Sequence, residues 1–250
     1  MQRDDGTHQT AVRSFRLGRQ FTLRALFLSF IVISILFGAV VHLRRKSALQ
    51  AEAVVSLRNH GAIILYDYEI DQNGALTGSH PGGPKWLRQV IGEDAFRSVH
   101  SVSFMHGHHI DGRVLEEFRF LRNVQEIDLQ QSTVTDKGLT YLRAHRSLRA
   151  LNLGNTQITD IGLDSLSSLD KLQWLDLRNT AISDRGLATL ARFQDLVTLN
   201  LSGTQVTGQG IRQLVQCSRL EFLFVGHTAV DGDSATWFKQ QKPACHVVYE

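Results

Sequence analysis

Apolar residues recur through the second half of this chain with a period of 24. Ile127, Leu151, Leu175, Leu199 and Leu223 are equally spaced, and each is followed two residues later by Leu129, Leu153, Leu177, Leu201 or Val225. A fixed period of this length implies one supersecondary unit per repeat. No single unit can bury its own leucines, so stacking of neighbours must build a continuous core. The chain is therefore expected to form a solenoid, a fold that works by offering a surface.

Aligned on the first leucine, the units begin at Val124, Leu148, Leu172, Leu196 and Leu220, with a degenerate unit starting near Val99. Each reads LxxLxLxxT, then an aliphatic residue (Val134, Ile158, Ile182, Val206, Val230), then usually T/S-D-x-G-L-x-x-L. The alternating LxL predicts a short strand. The pairs Leu139 and Leu142, Leu163 and Leu166, and Leu187 and Leu190 predict the inner stripe of a helix opposite it. Thr135, Thr159, Ser183 and Thr207 stand where a hydroxyl can cap that helix, and the column Ser132, Thr156, Thr180, Thr204, Thr228 stands where a polar side chain can satisfy the turn. On these motifs residues 99–243 resemble the leucine-rich repeat family. The resemblance implies an α/β solenoid, a curved parallel sheet with helices on its convex side, that binds a protein or peptide on its concave face.

The rest of the chain frames the repeats. Ala25–Leu43 reads ALFLSFIVISILFGAVVHL, and its 19 residues give roughly 28 Å of helix, close to the hydrocarbon thickness of a bilayer. A basic tail, 1–24, precedes it, and Arg44, Arg45 and Lys46 follow directly, the pattern of an uncleaved anchor rather than a cleaved signal peptide. Arginines flank the stretch almost equally on both sides, so charge counting nearly ties. A lone signal-anchor ahead of a C-terminal domain favours a cytoplasmic N-terminus and an extracytoplasmic repeat domain. Residues 47–98 predict a small α/β cap: an amphipathic helix carrying Leu49, Ala53 and Leu57, a strand over Ala62–Ile70 closed by an Asn73-Gly74 turn, and a short helix opened by Pro84. The final residues, 244–250, predict a closing strand or cover. An anchor, a small cap and TDxGL-type repeats together are similar to membrane-anchored bacterial leucine-rich repeat proteins. Related repeats occur in F-box and internalin-like proteins, although no F-box and no regular repeat cysteine is present.

Residues 1–46 carry eight Lys/Arg and two Asp/Glu, leaving 19 basic and 22 acidic residues for 47–250. The basic balance thus belongs to the N-terminal segment, and nothing in the charge of the repeats points to nucleic acid. Cys217 and Cys245 allow at most one bridge. Cys217 fills a slot held by Leu169 and Phe193 in other repeats, which predicts a buried, apolar role.

Along the strands, residues alternating with the leucines face the concave side. Most are small or polar. The exceptions cluster at Trp174, Asp176, Arg178, Phe222 and Phe224, residue types that anchor interfaces, and these form the candidate partner-binding patch. A second reading has the C-terminal segment with Trp237, Phe238 and Tyr249 cover the two phenylalanines. Six strands span some 25 Å, enough for a contact of roughly 800 Å² per partner. A competing chemistry is a metal-dependent hydrolase built on His106, His108, His109 and Asp111, with His100 nearby. The ligand count is thin, and the segment falls on the turn of the degenerate first repeat. No GxSxG, HExxH, P-loop or dinucleotide motif occurs. Asp136, Asp160 and Asp184 are expected to be solvated first-turn residues. The reading is thus a non-enzymatic binding module with no cofactor and no metal, the alternatives being the hydrolase and a purely structural envelope protein.

Overall fold

A computed structural model describes residues 23–71, 75–104, 110 and 112–249. The chain divides into two units between Val40 and Val41. Helix α1 runs over Leu23–Asn59. In the first unit its apolar side chains, Leu26, Phe27, Leu28, Phe30, Ile33 and Phe37 among them, are exposed. By length and composition α1 meets the requirements of a membrane span. Sequence reading placed two helices here, one to Leu43 and one from Ser47. One helix covers both because Arg44, Arg45 and Lys46 are good helix formers and interrupt only the hydropathy.

In the second unit the remainder of α1 buries Ser47, Gln50, Ala53, Val54 and Leu57. Strand β1, Ala62–Tyr66, is shorter than expected. It gives way at Asp67–Glu69 to a 3-10 turn, where the Glu69 carboxylate accepts the Tyr66 N–H at 3.0 Å. Pro84 caps α2, Lys85–Ile91. The Asn73-Gly74 turn lies outside the described residues.

Strands β2 (Val99–Phe104), β3 (Glu126–Asp128), β4 (Ala150–Asn152), β5 (Trp174–Asp176), β6 (Thr198–Asn200), β7 (Phe222–Phe224) and β8 (His246–Val248) follow β1 in sequence order across one eight-stranded sheet. All neighbours are parallel except β1, which joins β2 antiparallel. Between the parallel strands run α3 (Asp136–Leu139), α4 (Asp160–Ser165), α5 (Asp184–Leu190), α6 (Gly208–Ile211) and α7 (Gly232–Gln241). The middle residue of each repeat strand and the helix leucines are buried in one continuous core. Each buried leucine contributes about 1.5–3 kcal/mol.

Two polar columns satisfy backbone groups within each repeat. Thr156, Thr180 and Thr204 donate their hydroxyls to Leu153, Leu177 and Leu201 carbonyls at 2.6 Å. The Ser132 hydroxyl, in the same column, finds no hydrogen-bond partner among the described residues. Caps form at Thr159, Ser183 and Thr207, whose hydroxyls accept N–H groups of the first helical turn.

The aligned aspartates correct the expectation of solvated side chains. Asp136 accepts both the N–H (2.8 Å) and the hydroxyl (2.6 Å) of Thr159 one repeat on. Asp160 does the same to Ser183 and Asp184 to Thr207. A single strand spacing of about 4.8 Å brings the next cap within reach of a carboxylate, a distance that helix-dipole reasoning on one repeat does not contain.

Candidate functional site

The sheet face turned away from the helices carries the residues singled out from sequence. Pairing registers Ala150 with Trp174, Trp174 with Thr198, Thr198 with Phe222, and Phe222 with His246. Trp174 and Phe222 therefore flank Thr198 across two strand spacings, about 10 Å. They are 37% and 40% exposed, with Thr198 half-buried between them. The rings form two apolar walls over a short polar floor.

The C-terminal segment extends this face instead of covering it. Phe238 turns into the core, and Trp237 packs beneath the Arg212 guanidinium, 4.7 Å from its ring centre. β8 adds beside β7 and brings His246 onto Phe222, ring centres 5.5 Å apart and nearly parallel. His246 escaped the sequence reading. Its signal was present, because it stands 24 residues after Phe222 in the same column.

Arg178 is placed by its neighbours. Gly154 leaves room for it: a methyl there would meet Arg178 Cγ at 3.0 Å. Its Nε lies 3.5 Å from Asp176 Oδ2, while Asp176 Oδ1 accepts the Arg178 N–H at 2.9 Å. Asp176 itself is only 4% exposed, so it orients Arg178 and closes the strand end. Asp128, Asn152 and Asn200 likewise accept the N–H two residues on. Burial raises the Asp176 carboxyl above its ordinary range, and the Arg178 N–H and charge oppose the rise. Phe224, on the Asn200 column, is half-buried. The structure thus groups Trp174, Arg178 and Phe222 on one face, adds His246, and leaves Asp176 beneath.

His106, His108, His109 and Asp111 lie outside the described residues. Nearby His100 is engaged by carboxylates, its Nδ1 3.1 Å from Asp67 and its Nε2 3.8 Å from Glu126. Among the described residues no group of three or more His, Cys, Asp or Glu is arranged to hold a metal ion.

One family model agrees with the repeat geometry. The leucine-rich repeat family model matches residues 122–182 and 146–206. No curated protein matches the chain. Among solved structures, an internalin C2 from Listeria monocytogenes is 20% identical, over 62% of this chain and 71% of its own, with a TM-score of 0.47. A repeat protein from Leptospira interrogans is 16% identical over 53% of this chain and 39% of its own, TM-score 0.41. The ectodomain of the plant membrane receptor kinase GASSHO1 from Arabidopsis thaliana, solved in complex with Casparian strip integrity factor 2, is 19% identical over 54% of this chain and 16% of its own, TM-score 0.40.

Proposed function

We propose, from the premise that residues 122–206 are leucine-rich repeats and that such solenoids are protein-binding modules, that this chain is a non-enzymatic, membrane-anchored module whose open sheet face receives a protein or peptide. The observation that carries the reading is the exposed pair Trp174 and Phe222 on either side of Thr198. Aromatic side chains left in water by repeats that bury their leucines are the residue types that dominate interface energies. Arg178 supplies a cation held at one edge by Asp176, suited to a carboxylate or a backbone carbonyl of the partner. The slot of about 10 Å accepts one extended segment or a single aromatic or aliphatic anchor. The apolar part of α1 serves as the anchor, with the N-terminus in the cytoplasm and the repeats outside.

The test is affinity capture from native membranes with the full chain, followed by measured affinity for whatever is captured. Trp174→Ala with Phe222→Ala is expected to weaken binding by tenfold or more, since one interface hot spot contributes about 2 kcal/mol, while the unfolding midpoint stays unchanged. Equal affinity in the folded double variant would leave the open face without this role. Protection of the repeats from added protease in intact cells would reverse the orientation.

A further inference from the structure

We propose that the recess lined by Lys46, Leu49, Arg119, Phe120, Leu121 and Arg122 binds the anionic headgroup of a membrane phospholipid and so ties the first repeat to the bilayer surface. The recess has a volume of about 290 Å³. Three of its six lining side chains are cationic and none is acidic.

One of the three cations is already partly committed. Arg119 pairs with Glu116 at 2.8 Å and lies over the Phe120 ring, 4.6 Å from its centre. Arg122 Nη2 is shut away from solvent and has no hydrogen-bond partner among the described residues. A buried guanidinium N–H left unpaired is costly, and a phosphate oxygen is the acceptor whose geometry and charge match it. Lys46 adds a second positive charge, while Leu49 and Phe120 give the recess an apolar side that suits the glycerol portion of a lipid. An adjoining recess that shares Leu121 carries Arg146 and Lys171 beside Asp170, which extends the basic character along this edge.

The lipid, rather than a free phosphate, is the source of the anion because of where Lys46 falls in the chain. It follows Leu43, the last residue of the apolar stretch, by three residues of α1, about 4.5 Å of helical rise. Basic side chains directly after an apolar span are the ones that meet lipid headgroups. This inference rests on the reading of that stretch as a membrane span.

The experiment reconstitutes the full chain into vesicles of neutral phosphatidylcholine, or of the same lipid with phosphatidylglycerol added, and follows amide exchange at 46–49 and 119–122. Carbonate extraction reports insertion separately. Anionic lipid is expected to slow exchange at these segments by about fivefold or more, the factor for one basic side chain at an anionic surface. Lys46→Gln with Arg122→Gln is expected to abolish the slowing while insertion persists. Should that pair fail to fold, Lys46→Gln alone, at an exposed position, is expected to reduce it. Full insertion with equal exchange in both lipids overturns the headgroup site. Loss of the protein from neutral vesicles on carbonate extraction overturns the membrane span and the lipid source with it. Equal slowing by inorganic phosphate added to neutral vesicles overturns the lipid assignment in favour of a free anion.

Discussion

At the residue scale, the repeat motif is a clasp between neighbours. The aspartate of one unit holds the cap of the next, and the glycine two residues into that next helix makes the space. A methyl at Gly162 would collide with Asp136 Oδ1, one at Gly186 with Asp160 Oδ1, and one at Gly210 with Asp184 Oδ1. At the last interface the pair is exchanged: Gly208 stands in the aspartate slot, and Ser234, in the glycine slot, fills the space against it. Gly186→Ala is therefore expected to destabilise by about 1–3 kcal/mol, the range for overpacking. Asp160→Ala should lose a comparable amount through two hydrogen bonds at a half-buried site. In the Asp160→Ala background Gly186→Ala should cost less, because the nearest obstacle is gone and only the end of the Leu163 side chain, 3.0 Å from the new methyl, has to give. Urea unfolding of the four proteins reads the coupling, and simple additivity would remove the clasp from the explanation.

Cys217 behaves as the small core side chain its slot requires. Its Sγ lies 3.4 Å from the Leu190 carbonyl, and burial pushes the thiol up to about 11 although Lys242 acts to lower it. With a folded value above the unfolded one of 9.0, the thiol's contribution to stability is fully present below pH 9 and is lost as pH rises through about 11. The native protein is thus expected to leave Cys217 unreactive toward a disulfide reagent at pH 8, with labelling only on unfolding. Rapid native labelling would contradict its burial.

At the element scale, the strands are only three residues long from β3 onward, so each depends on its neighbours and on the turn that ends it. That turn uses a left-handed residue once per repeat: Gln131, Asn155, Asn179, Gly203 and His227 all have φ between 52° and 70°. Asparagine tolerates this conformation, and Asn179 also donates its amide to Asn155 Oδ1 at 2.9 Å. The terminal strand β8 has a different task, to occupy the free edge of β7. Removing residues 244–250 would expose that edge together with Phe222 and Phe224, a template for pairing with a second chain. In detergent, which covers the apolar stretch of α1, the truncated protein is expected to elute as a larger species than the full chain in size-exclusion chromatography. A truncated protein that elutes unchanged would mean that β7 is protected in another way.

At the scale of the whole molecule, the buried core and the proposed binding patch lie on opposite faces of the same sheet. Leu175 is fully buried, while its chain neighbour Trp174 is exposed. Because each repeat contacts only its neighbours, a cavity in the middle weakens two interfaces at once. Leu175→Ala should cost about 2–5 kcal/mol and lower the urea midpoint, whereas Trp174→Ala should leave the midpoint within experimental error and act on partner binding alone. If both substitutions destabilise equally, Trp174 belongs to the packing of the fold.

The sequence by itself determined the period, the strand and helix of each unit, the buried leucines and the columns of the open face. Those follow from hydrophobic spacing, which is local and repeats. The apolar stretch at 25–43 was legible for the same reason. Only tertiary structure decided how polar groups are satisfied between units: that the repeat aspartates reach forward into the next cap, that Asp176 lies beneath Arg178, and that His246 completes the row beside Phe222. These contacts join residues 2 to 24 positions apart, and the longer ones exist only once the strand spacing brings neighbouring repeats together. The antiparallel entry of β1 and the basic recess that Arg122 lines are likewise properties of the assembled chain, because both depend on where the cap meets the first repeat.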